Sequence, residues 1–95
     1  MERIEGLPKK LIEHRSKPFD QRWEEAMDWW KSQTETLQQY IRSTAEASLV
    51  RDLRGTGQGI SSSDINHRVY DMYHSYLYYP EGTDVLLYLV DYSNE

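Results

Sequence analysis

Between Asp20 and Arg51 the apolar side chains recur at alternating spacings of four and three, and no Pro or Gly interrupts them. Trp23, Trp30, Leu37 and Thr44 form one seven-residue series, and Met27, Thr34, Ile41 and Ser48 form a second, offset by four. Both series fall on one face of a helix, so the pattern predicts a long helix over about 20–51. The stripe is apolar through Leu37 and Ile41 and becomes polar at Thr44 and Ser48. Trp29 and Tyr40 lie off it and widen the aromatic surface. At about 1.5 Å per residue, an unbroken helix would run roughly 45 Å, longer than a globule of this size. It must bend or lie partly against a second chain. Trp23, Met27, Trp29, Trp30, Leu37 and Ile41 are therefore expected to form the core or an oligomer seam.

Punctuation residues set the flanks. KKLIEHR after Pro8 reads as a short helix, because Pro is tolerated in a first turn. Ser16, Lys17 and Pro18 break that pattern. Asp20 is the expected N-cap of the long helix, with Phe19 placed to staple onto the turn of Glu24 or onto Trp23. Gly55, Gly57 and Gly59, followed by Ser61 to Ser63, predict a hinge over 55–62 between two helical halves.

After the hinge, Ser63 or Asp64 is expected to cap a tyrosine-rich helix over about 64–79. Ile65, Val69, Met72, Tyr76 and Tyr79 mark its core stripe; Tyr70, Tyr73 and Leu77 mark a second apolar edge. Pro80, Glu81 and Gly82 form a turn. In the final segment, 84–92, Asp84 as N-cap favours a helix, whereas the Val and Tyr content would also suit a short β-hairpin. The helix is preferred. The expected fold is a mainly α single domain, residues 1–95, and a core this small often gains stability from a partner subunit.

Charge divides the same chain in two. Residues 1–55 hold equal numbers of acids and bases, so the formal charge of −5 resides in the last forty residues. There Asp64, Asp71, Glu81, Asp84, Asp91 and Glu95 face a single base, Arg68. Nucleic-acid affinity rests on clustered Lys and Arg, so direct nucleic-acid binding is disfavoured and a basic protein surface is the expected partner. The chain has 0 Cys, which excludes disulfides, thiolate zinc sites and a cysteine nucleophile. No apolar run approaches the length needed for a membrane span, and a cytoplasmic location is expected.

Candidate chemistry is sparse. The glycine loop lacks the Lys and hydroxyl that a phosphate-binding loop places after its glycines, since Gly59 is followed by Ile60 and Ser61. His67, Asp71, His74 and Tyr78 share one helix face, but the two histidines are too far apart along the axis to chelate together. Metal and cofactor sites are therefore not expected. Glu24 and Glu25, as helical neighbours, should point in different directions rather than act as a carboxylate pair. No nucleophile motif accompanies the serines and histidines, so no enzyme is expected.

The tyrosines carry the strongest signal. Tyr70, Tyr73, Tyr76, Tyr78, Tyr79, Tyr88 and Tyr92 make seven of the 8 in the chain. One helix cannot bury aromatics around its whole circumference, and Tyr is favoured at interfaces for its large apolar area and hydroxyl. The expected contact residues are Asp64, Tyr70, Asp71, Tyr73, His74, Tyr78, Glu81, Asp84, Tyr88, Asp91 and Tyr92. The expected function is a non-catalytic protein-interaction module: a small acidic inhibitor or adaptor, of the phage or mobile-element type that includes DNA mimics. It is expected to form a homo-oligomer and to leave membranes alone. A self-assembling structural subunit, built as a helical oligomer, and a small-molecule or nucleotide-binding oligomer are the alternatives.

Overall fold

A computed structural model describes residues 8–57, 59–80 and 82–94. Among the described residues there are five helices: α1 (Lys9–Arg15), α2 (Phe19–Lys31), α3 (Glu35–Asp52), α4 (Ser62–Tyr76) and α5 (Val85–Ser93). No strand occurs among them, so the final segment is the helix that its Asp84 cap favours. The Asp84 carboxylate accepts from the Leu86 backbone N–H at 3.1 Å, satisfying one of the free donors of a first turn.

The predicted long helix is helical over nearly its full span but is made of two pieces, α2 and α3, joined at Ser32–Thr34. Thr34 is extended and accepts from the Leu37 N–H at 3.3 Å, which caps α3. The last carbonyls of α2 find donors in the same short joint. Ser32 Oγ and Gln33 Nε2 both donate to Trp29 O, and Gln38 Nε2 donates to Lys31 O and Gln33 O. Trp30 Nε1 then donates to Gln38 O at 3.1 Å, tying the start of α3 to the end of α2. The molecule measures 42 × 31 × 28 Å along its principal axes.

Two other caps differ from expectation. Pro18 precedes α2 and Asp20 lies inside its first turn without a side-chain capping bond. Its negative charge still suits the positive end of the helix dipole. Ser61, rather than Ser63 or Asp64, caps α4. Ser61 Oγ accepts from the Asp64 N–H at 3.1 Å and the Asp64 carboxylate accepts from the Ser61 N–H at 3.0 Å, a reciprocal capping box.

α4 packs on both α2 and α3, and α5 packs on α3. One core cluster joins Ile41, Ala45 and Leu49 of α3 to Ile65, Val69 and Met72 of α4 and to Tyr88 and Leu89 of α5. Met27, Trp29, Trp30 and Leu37 close over it. A second cluster holds Leu11, Ala26, Tyr73 and Leu77, with Met27 and Trp29 touching both. Most of the stripe that could have made a coiled-coil seam thus packs within the molecule, while Trp23 joins neither cluster and Thr34 is exposed. Residues before and after the glycine loop share one core, so the loop links helices packed on one another.

Candidate functional site

The polar seam positions of α3 have a structural use. Ser48 is buried and its hydroxyl accepts from Arg68 Nη1 at 2.6 Å, while Arg68 Nη2 lies 2.8 Å from Asp52 Oδ2. Burial alone would lower the Arg68 pKa, but the bonds to Asp52 and Tyr92 outweigh it and raise it. Tyr92 OH sits 3.4 Å from Ser48 Oγ and completes the group. The only base of the back half is therefore bound internally, which leaves the surface of that half acidic.

A second polar group lies between α1, α2 and α4. Glu25 Oε1 is 3.2 Å from both His14 Nδ1 and Lys17 Nζ, and Glu25 Oε2 accepts from Tyr73 OH at 2.8 Å. Burial would raise the Glu25 carboxyl, yet the bonds from His14, Tyr73 and Lys17 prevail and hold it below its ordinary value. Tyr73 shifts the opposite way, raised by burial and then by the adjacent Glu25 charge. His14 is fully buried, and its Nε2 has no hydrogen-bond partner among the described residues. The ring packs between Tyr73 at 5.3 Å and His74 at 5.7 Å. Burial, then the neighbouring His14, Arg15 and Arg22, lower the His74 pKa.

These bonds decide which expected contact residues are available. Tyr88 is the largest fully buried side chain and donates to Met72 O at 2.9 Å. Tyr73 is also buried. Both are corrected from contact surface to core, because an internal acceptor offsets the cost of taking the hydroxyl out of water. Tyr70, His74 and Tyr92 are half-buried, and Tyr78, next to His74 at 5.6 Å, is exposed. Asp71, Asp84 and Asp91 are exposed; Asp64 is half-buried in its capping box. Tyr79 OH donates to Asp91 at 3.4 Å. Glu81 lies outside the described residues.

Two surface features were missed at the sequence level. The first is the outer face of α5. Its inner face buries Tyr88 and Leu89, yet Leu86, Leu87 and Val90 on the opposite side remain 45%, 59% and 41% exposed. The run VLLYLV is apolar around the whole helix, a signal that some apolar surface would stay exposed but not of which face. The second is an open groove of about 700 Å³ along α2. Phe19, Trp23 and Met27 supply its apolar lining, Asp20, Glu24 and Asp28 its acidic edge, and Lys31 its far end. His67 of α4 meets Trp23 at 4.8 Å, and Tyr70 stacks on the same indole at 5.7 Å. Glu24 lines this groove while Glu25 bonds to His14, Lys17 and Tyr73, and both border a second, shallower hollow with Lys17, Gln21 and Asp28.

Among the described residues, no group of three or more His, Asp or Glu side chains is placed to hold a metal ion. No described helix is long and apolar enough to cross a membrane. Comparison with protein-family models, curated proteins and solved structures finds no match to this chain.

Proposed function

We propose that this chain is a non-catalytic protein-interaction module, a small acidic inhibitor or adaptor that binds a partner with a basic surface through its C-terminal half. The observation that carries the reading is the outer face of α5. Leu86, Leu87 and Val90 form an exposed apolar centre, with the exposed carboxylates of the N-cap Asp84 and of Asp91 near the two ends of the helix. An apolar centre with a polar rim is the usual anatomy of a protein contact. Arg68, the one base that could offset the rim, is bound to Asp52 and Ser48. Imitation of DNA charge is a narrower form of the same reading, and the excess of acids supports it. The self-assembly alternative, a helical oligomer, would instead leave the free chain as a defined oligomer without any partner.

The test uses purified chain as bait in extracts at low and high salt, with Leu87→Asp as a parallel bait. The captured protein is then reconstituted from purified components. A basic partner should bind the wild type, weaken as salt rises, and be lost with Leu87→Asp. A salt-insensitive complex, or a stable oligomer of the free chain that Leu87→Asp dissolves, would overturn the reading in favour of self-assembly.

A further inference from the structure

The groove along α2 uses none of the residues of the α5 face. Its geometry follows from helical spacing. Asp20, Glu24 and Asp28 fall at i, i+4 and i+8, so their carboxylates form a row along one edge. Trp23 and Met27 fall one position earlier in each turn and form a parallel apolar row, extended by Phe19. Like charges four residues apart repel one another on a helix. A bound cation relieves that repulsion. Lys31 is the single lysine or arginine in the lining, so it faces three carboxylates, Asp20, Glu24 and Asp28.

The aromatic row suits a cation as well. Trp23 has the best ring face for a cation, and its orientation is fixed by Tyr70 and His67. The chain already holds one such contact beside the groove: the Arg22 guanidinium lies 5.9 Å from the Phe19 ring centroid. A flat guanidinium can stack on an indole and be gripped by a carboxylate in the same pose, which an ammonium cannot do as well. Lys31 sits at the C-terminal end of α2, so the groove is more acidic towards Asp20, and that gradient orients the occupant.

We infer that this groove binds an arginine-bearing segment of a partner protein, with one guanidinium stacked on Trp23 and held by the Asp20, Glu24 and Asp28 row. The two surfaces together make the chain an adaptor with two contact sites rather than a one-sided inhibitor.

The probe is a short, blocked helical peptide with arginines at four-residue spacing, titrated into the isotope-labelled full chain and followed by its amide and indole resonances. Lysine and glutamate versions serve as comparisons. The Trp23 indole and the His67 and Tyr70 signals should move with the arginine peptide, and binding should weaken as salt rises. Trp23→Ala should weaken it about ten-fold or more, and the lysine peptide should bind several-fold more weakly. Glu24→Lys, at an exposed position, should abolish it while the spectrum stays dispersed, which covers the case in which Trp23→Ala does not fold. Leu87→Asp should bind the peptide as the wild type does, so failure at the α5 face and failure here are separable. Undiminished binding by Glu24→Lys, or equal binding of the glutamate peptide, would overturn the assignment. So would groove signals that shift with protein concentration alone, because a second copy would then be the occupant.

Discussion

Tyr73 of α4 donates its hydroxyl to Glu25 of α2 at 2.8 Å, and the same carboxylate receives His14 from α1 and Lys17 from the loop that follows. One side chain thus ties α1, α2 and α4 together. Tyr73→Phe removes a donor to a charged acceptor while keeping the ring in place. It should cost about 1.5–3 kcal/mol, the range for bonds to charged groups, read from urea unfolding followed by circular dichroism.

The acid limb of stability should show two stages. The His74 pKa is lowered from 6.5, so the stability linked to its neutral form is present above that value and is lost as pH falls through the lower folded value. The Glu25 pKa is lowered from 4.5, so its contribution is present above 4.5 and is lost as pH falls further. Both lose stability in the same direction, His74 from below 6.5 and Glu25 from below 4.5. His74→Asn should flatten the upper stage and Glu25→Gln the lower one. Unfolding midpoints in denaturant, measured across the acid range, would show a single unchanged limb if neither group is linked to folding.

Tyr88 marks how much the sequence could say. A tyrosine in an acidic surface segment reads as a contact residue, but the helix turns it inward, where Met72 O accepts its hydroxyl. Tyr88→Phe should cost about 1 kcal/mol, the net value of one ordinary hydrogen bond. Tyr88→Ala should cost roughly 3–5 kcal/mol for the cavity it leaves, and is expected to unfold much of the population. Thermal melts of the two variants distinguish lost packing from a lost bond.

What was legible follows from local rules. The helices, the Asp84 cap and the Phe19–Trp23 contact all depend on residues a few positions apart. The Glu25 group joins residues eleven and forty-eight positions away, and the groove brings Trp23 against His67. No periodicity encodes such meetings; they are set by how α4 crosses α2. The inward turn of Tyr88 was hidden for a related reason. A helix that is apolar all round does not reveal which face meets the core.

The glycine loop should behave as a connector. Gly55 and Gly57 lie at φ +85° and +75°, in the left-handed region that disfavours a Cβ, whereas Gly59 faces open space without a positive φ. Alanine at Gly55 or Gly57 should cost about 1 kcal/mol each, and alanine at Gly59 close to nothing. Because α3 and α4 share the core, none of the three should alter partner binding once the lower stability is allowed for. A binding loss confined to Gly59→Ala would restore the hinge.

The joint at Ser32–Thr34 was invisible for a different reason: nothing there forbids a helix. Pro and Gly are absent, and the break rests on a favourable alternative, in which Thr34 caps α3 and Gln33 and Gln38 serve the carbonyls of α2. Thr34→Ala should therefore cost about 1 kcal/mol, the usual loss of a cap. It should not fuse the two helices. A continuous helix would pull Trp30 from the Gln38 carbonyl and lift Trp29 and Leu37 from the core they cover, a larger loss than the cap. The variant should keep the wild-type helical content and hydrodynamic radius while melting at a lower temperature. A gain in radius would mean that local capping, and not burial of the tryptophans, holds the bend.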